Sequence, residues 1–267
     1  MSEAIGQPGQ AALPRPLGIG EILSTAFRLY QRHWRTLVAI AAVVVVPLTL
    51  LQYLFGDWIR TRGEVTSLQE VSTATWAVGA AGLVAALAGI LMYLVLTGAI
   101  TRAVAAEVAG EDPSLEQSYR FGFHRLGAVL VVSVLVGLAT IAGFILLVIP
   151  GIYIGVRLAV SVEALVVEGR RGTQAMGRSW ALVGGHWWHA FGALLVAGVL
   201  VGIVNSVITT PFSATGWFVQ AVAAAVATVI TMPYSVLVGV LLYLDLRARK
   251  ENLNLETLRT DLQTSAA

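Results

Sequence analysis

Three charged side chains lie in or next to apolar stretches of this sequence, where they could bind an anion, carry a proton or form an ion pair. Arg157 and Glu163 are six residues apart in one apolar run, and Asp245 ends another run with Arg249 four residues further on. An Arg in hydrocarbon costs from about 2.5 to well over 10 kcal/mol. We therefore expect Arg157 to face a partner, water or an anionic group such as a phosphate.

Each of these residues also has a structural interpretation. Arg157 could form an ion pair or extend its guanidinium to the outer interface of a membrane. Glu163 lies about 120° around a helix from Arg157, so direct pairing is not expected. It is close enough to the end of its run to reach lipid headgroups, with a proton relay as the alternative. The i,i+4 spacing of Asp245 and Arg249 favours a local ion pair.

The other side chains give little indication of catalysis. His186 and His189 share a helix face and could ligate a metal, but no Asp or Glu is near them in sequence, and Trp187 and Trp188 between them fit an aromatic belt. The chain has no Cys, which excludes thiolate chemistry. It shows no phosphate-binding Gly loop, catalytic triad spacing or dinucleotide motif. We expect no catalytic residues, no cofactor and no metal, and hence no enzyme.

The elements that carry these residues are typical of a membrane protein. Of the 267 residues, 57% are hydrophobic and 12% are charged, and no charged residue falls within 179–244. A soluble domain has about 25% charged residues. A helix needs about 20 apolar residues to cross roughly 30 Å of hydrocarbon. The sequence thus predicts an all-α polytopic integral membrane protein with six transmembrane helices, at 36–55, 76–100, 126–149, 152–168, 190–209 and 217–244.

The distribution of basic residues predicts the orientation of the chain. With both termini in the cytoplasm, 14 of the 17 basic residues fall on the cytoplasmic side, as the positive-inside rule requires. We expect a disordered cytoplasmic tail at 1–16, a membrane domain at 17–250 and a cytoplasmic C-terminal tail at 251–267. The abundance of Arg, Ala, Gly and Val favours a bacterial plasma membrane.

The membrane domain is predicted to contain three parallel two-span units, at 17–100, 113–168 and 172–246. In each unit an amphipathic stretch precedes the first span, which is typical of a helix at the membrane surface. The basic and aromatic residues of these stretches are predicted to contact lipid headgroups. They are Arg28, Arg32, Arg35, Arg120, Arg178, Trp187 and Trp188.

Three segments of the chain resemble the membrane domain found beside glycerophosphodiester phosphodiesterases and related six-span proteins of bacteria. They read RPLGIGEIL with AFRLY, then IPGIYIGVRL, then LYLDLRARK, and they follow in the same order over nearly the whole chain. The resemblance implies the membrane domain alone. In relatives that carry the phosphodiesterase, a separate barrel domain performs hydrolysis, and no such domain is expected here.

Two functions remain open from the sequence. We favour an integral membrane module without catalytic activity that scaffolds or recruits envelope proteins or anionic lipids, since each Arg near the surface attracts anionic lipid by about 1 kcal/mol. The alternative is a transporter of a small solute or lipid that uses Arg157 in the fourth span. The expected partners are the bilayer, anionic lipids and a membrane protein. No nucleic acid is expected, because the cytoplasmic loops account for the basic excess.

Overall fold

The structure is a computed structural model that describes residues 15–62, 97–98, 100–102, 104, 126–170 and 172–266. Every regular element in these ranges is helical, which confirms the all-α prediction. The helices are α1 (Ile19–Arg62), α2 (Leu126–Leu146), α3 (Val148–Arg157), α4 (Ser161–Glu168), α5 (Thr173–Val183), α6 (Trp187–Thr209), a 3₁₀ turn (Thr210–Phe212), α7 (Trp217–Glu251) and α8 (Leu255–Ala266).

Several of these helices are long and apolar enough to cross a membrane, so the chain is a membrane protein. Five candidate spans are present in the described part: Ile19–Leu54, Gly127–Leu146, Val148–Glu168, Trp187–Phe212 and Trp217–Glu251. The predicted second span, 76–100, falls almost entirely outside the described residues. The six-span arrangement therefore stays a prediction. The amphipathic stretch predicted before the third span, with Arg120, also lies outside them.

Helix α7 forms the centre of the fold, and α1 and α6 pack against it. Small side chains such as Ala221 and Ala227 let neighbours approach its first half, and its second half is buried almost continuously from Val236 to Ala248. A helix that is apolar on all sides is expected in such a position. The residues that precede α1 lie beside the C-terminal end of α7. There the Leu17 N–H donates a hydrogen bond to Asp245 Oδ1 at 2.6 Å.

The first amphipathic stretch is not a separate surface element. It is continuous with the first span in α1, which bends at His33, a residue with non-helical angles (φ −117°, ψ 20°). The buried face passes through this bend, from Ile22 and Ala26 to Leu37 and Ile40. The protein core, rather than lipid alone, therefore covers the apolar stripe.

The third amphipathic stretch does form a helix of its own, α5, which a Gly184–Gly185 turn separates from α6. Gly185 has φ 82°, a left-handed conformation that favours glycine. The buried residues of α5 are Ala175, Ser179, Leu182 and Val183. Trp180 of α5 is exposed.

The fourth span differs from the single continuous helix that the sequence predicts. Its turn from α2 is at Leu147, which has extended backbone, while Pro150 lies in the first turn of α3, where proline is tolerated. The helix is then interrupted at 158–160, between α3 and α4. The span is thus two short helices, with Arg157 at the end of the first.

The C-terminal segment, expected as a tail, contains the packed helix α8. Leu258 and Leu262 of this helix are buried in the main core. Asp261 accepts a hydrogen bond from Arg247 Nη1 at 2.7 Å, and the carbonyl of Leu262 accepts one from Arg102 at 2.8 Å. These contacts join α8 to the end of α7 and to the helical residues near 102.

Candidate functional site

The Arg157 guanidinium packs between α3 and α5. Its Cζ lies 4.4 Å from the ring centroid of Trp180 and 5.5 Å from that of Tyr153, both within cation–π range. Nη1 donates to the Trp180 carbonyl at 2.9 Å. That carbonyl is in the last turn of α5, the negative end of the helix dipole. Within the described ranges no carboxylate pairs with Arg157, and its buried Nε has no hydrogen-bond partner.

The break beside Arg157 is closed by a side chain from α5. Ser179 Oγ donates to the Arg157 carbonyl at 2.9 Å and accepts the Val160 N–H at 3.3 Å. Ser161 Oγ also donates to the Leu158 carbonyl at 2.7 Å. In hydrocarbon, backbone groups freed by a break must find partners within the protein. Sequence analysis missed Ser179 because a lone serine in an amphipathic helix carries no distinguishing signal.

Glu163 is buried against α7 and does not extend to the end of its helix, so the expectation that it reaches headgroups is wrong. Glu163 is only 6% exposed. Gly239 of α7 leaves the space for its carboxyl, since an added Cβ there would lie 2.7 Å from Oε1. Oε2 has no hydrogen-bond partner among the residues described.

Asp245 joins three parts of the fold. It is 0% exposed, and besides the Leu17 N–H it accepts the Arg249 Nε at 2.9 Å, the local pair that the spacing predicts. Arg249 also donates to the Leu17 carbonyl. His189 Nε2 of α6 lies 3.0 Å from Asp245 Oδ2. No group of three or more potential metal ligands occurs in the described part of the chain. The three charged residues singled out from the sequence do not meet in one site, since each has different neighbours: Arg157, Glu163 and Asp245.

Arg178, predicted to contact lipid, is held by two carboxylates. Glu168 Oε1 accepts its Nε at 2.8 Å, and Glu251 accepts both of its terminal nitrogens. Burial acts to lower the pKa of Arg178, but the bonds to Glu251 and Glu168 outweigh it and raise the pKa above the ordinary value. Glu168 also accepts hydrogen bonds from Arg170 Nε at 2.6 Å and from the Tyr243 hydroxyl at 2.7 Å. This network joins α4, α5 and α7.

The predicted lipid-contacting arginines of α1 have a different environment. Arg28, Arg32 and Arg35 are all exposed. Arg28 donates to Thr25 Oγ1 at 2.8 Å, and the Arg35 Cζ lies 5.5 Å from the ring centroid of Trp34. We call Arg28, Arg32 and Arg35 the arginine stripe. At 100° per residue, Arg28 and Arg32 lie about 40° apart on the part of α1 before the bend, and Arg35 follows the bend at His33.

Trp187 and Trp188 belong to an aromatic cluster at the start of α6. Trp187 stacks on Phe191 at a centroid distance of 5.0 Å and donates its Nε1–H to the Tyr153 carbonyl at 3.3 Å. Trp188 contacts the Trp187 ring edge to face, yet remains 76% exposed. Such rings are typical of the interface between lipid tails and headgroups.

Comparison with known proteins found no matching family model, no matching curated protein and no matching solved structure. The resemblance to the membrane domain of the phosphodiesterases therefore stays a prediction.

Proposed function

We propose that this protein is an integral membrane module without catalytic activity of its own, which recruits anionic lipids and, through them or directly, envelope proteins. The arginine stripe is the observation that carries the proposal. Its three side chains are exposed within two turns of α1, whereas Arg178 is held by carboxylates. Like charges four residues apart on a helix, such as Arg28 and Arg32, repel one another unless an anionic partner neutralises them.

The surroundings of the stripe support lipid as that partner. Arg35 lies over Trp34, and tryptophan is enriched at headgroup depth. Each Arg near an anionic surface contributes about 1 kcal/mol. We further propose that the membrane is the bacterial plasma membrane and that both termini are cytoplasmic, on the strength of the basic residues' distribution.

The proposal is tested with spin-labelled lipids in vesicles of phosphatidylcholine and phosphatidylglycerol in equal parts. Wild-type protein is expected to immobilise labelled phosphatidylglycerol in preference to labelled phosphatidylcholine. The triple variant Arg28→Gln, Arg32→Gln, Arg35→Gln should lose most of that preference. The control variant Arg170→Gln, Lys250→Gln, Arg259→Gln has the same net charge as the stripe variant and should retain the preference for phosphatidylglycerol. Equal loss in both variants would contradict the proposal.

Transport through the fourth span is the second candidate. The Nε of Arg157 and the Oε2 of Glu163 favour it, because they have no partner among the described residues, lie on either side of the helix break, and polar groups in a span commonly line a substrate path. Ser161 lies between them and is buried. The protein has no Cys, so Ser161→Cys can be treated with a membrane-impermeant maleimide. Labelling, with protection by an anionic solute, would favour transport, and no labelling beside a labelled Thr66→Cys control would favour the recruiting module.

A further inference from the structure

An open groove of about 550 Å³ lies between α1, α6 and α7. Its wall is almost entirely apolar, with Leu23 and Phe27 on one side and Val204 and Ile230 on the other. The volume is within the range of roughly 300–1,000 Å³ that small-molecule sites occupy. All three helices belong to candidate membrane spans.

The groove and the arginine stripe are neighbours on the surface of α1. Gly20, Ser24 and Phe27 line the groove. At 100° per residue, Arg28 lies about 40° and Arg32 about 80° around the helix from Ser24. The core-facing residues, such as Ile22, lie on the other side of the groove-lining face. One ligand can therefore touch both the groove and the stripe.

We infer that the groove binds one acyl chain of an anionic phospholipid whose phosphate is held by the arginine stripe. The inference rests on the proposed function and specifies how that lipid is bound. Charge complementarity selects the headgroup, because the stripe offers guanidinium groups that bind phosphate oxygens in pairs. The apolar wall selects the chain, because burying a CH₂ group is favourable by about 0.8 kcal/mol. A bare phosphate ion would leave the groove empty, and a zwitterionic lipid would not neutralise the positive charge of the stripe.

Photocrosslinking in vesicles tests the inference. The full chain is reconstituted in phosphatidylcholine and phosphatidylglycerol in equal parts, with a trace of either lipid carrying a diazirine in one acyl chain. Adducts are located by mass spectrometry of peptides. The phosphatidylglycerol probe is expected to label the peptides around Phe27, Val204 and Ile230 severalfold more than the phosphatidylcholine probe does.

Gly20→Leu places a leucine side chain at the wall of the groove, where an added Cβ meets no atom within 4 Å. It is expected to abolish most groove adducts of both probes. Gly198→Leu is the matched control, because its Cβ also meets nothing and Gly198 does not line the groove. In the triple Gln variant of the stripe, groove labelling by the phosphatidylglycerol probe should fall severalfold, to the level of the phosphatidylcholine probe.

The outcomes separate the inference from the proposed function. If adducts spread over the exposed apolar surface and Gly20→Leu changes nothing, the groove is not an acyl site and the inference is wrong, whether another segment of the chain or a second copy fills it. The stripe's preference for anionic lipid in the spin-label experiment would then still stand. Equal groove labelling by both probes would overturn the inference and count against the proposed function too.

Discussion

Ser179 donates its hydroxyl proton to the carbonyl oxygen of Arg157 at 2.9 Å, and this contact joins α5 to the middle of the candidate span Val148–Glu168. The hydroxyl oxygen of Ser179 also accepts the Val160 N–H, from the far side of the helix break, at 3.3 Å. One side chain thus replaces hydrogen bonds that an uninterrupted helix would make along its own backbone. Helix α5 is therefore part of the span's structure.

Replacement of Ser179 by Ala should destabilise the protein. Ser179 is fully buried, and its loss leaves a carbonyl and an N–H without that partner, at an expected cost of about 1–3 kcal/mol. Unfolding in detergent micelles, followed by circular dichroism, measures the change. Ser206→Ala on the exposed side of α6 is the control and should stay within about 0.5 kcal/mol of wild type. Equal effects would mean that the break does not depend on Ser179.

Asp245 is predicted to hold the start of α1. Asp245→Ala removes the acceptor of the Leu17 N–H and one partner of Arg249, at an expected cost of about 3 kcal/mol. A thiol introduced as Leu17→Cys, buried in the wild-type fold, should then react severalfold faster with a maleimide. Asp261→Ala breaks a different ion pair and should leave that rate unchanged. Acceleration in both variants would indicate general loosening instead.

The sequence predicted those parts of the fold that depend on hydropathy and local spacing. Apolar length predicted that several helices are long enough to cross a membrane, and the i,i+4 rule located the Asp245–Arg249 pair. The break in the fourth span was missed because residues 158–160 read Leu-Ala-Val, without Pro or Gly. It depends on Ser179, a residue from another helix, and a single sequence does not contain that pairing.

The burial of Glu163 and the groove could not be predicted for the same reason. Both arise where helices far apart in sequence meet: Glu163 faces Gly239, and Leu23 shares the groove with Val204. Arg178 was assigned to lipid because its helix is amphipathic and basic. Its partner Glu168 is on the preceding helix, and the tight turn between α4 and α5 brings the two together.

Arg178 is predicted to contribute more to stability than its neighbour Arg170. Arg178→Ala removes from the nearly buried Glu168 the guanidinium that also pairs with Glu251, so a loss of about 3 kcal/mol is expected. Arg170→Ala removes an ion pair to the same carboxylate from a side chain that is 47% exposed, so less than about 1 kcal/mol is expected. Arg178→Lys should be intermediate, since an ammonium cannot bond both carboxylates in forked geometry. Unfolding in micelles gives all three values, and equal losses for Ala at both positions would contradict the ranking.

Gly239→Ala should destabilise the protein through Glu163. The added methyl group would lie 2.7 Å from Oε1, and a carboxyl that is buried against α7 has little room to move, so a penalty of about 1–3 kcal/mol is expected. Glu163→Ala removes the clash, and the penalty of Gly239→Ala should vanish in that background. The double-mutant cycle measures this coupling directly.

Gly198→Ala separates this contact from the general effect of Ala in a helix. Its added methyl group meets no atom within 4 Å, so the gain in helix propensity, up to about 1 kcal/mol, should remain. Replacement by Ala is thus expected to lower the free energy of unfolding at Gly239 and to raise it at Gly198. If Gly239→Ala is also stabilising, or if its penalty persists without the Glu163 side chain, the carboxyl does not occupy the space beside Gly239. The unpartnered oxygen of Glu163 would then face another part of the protein, and the case for a polar path through the fourth span would need a different residue.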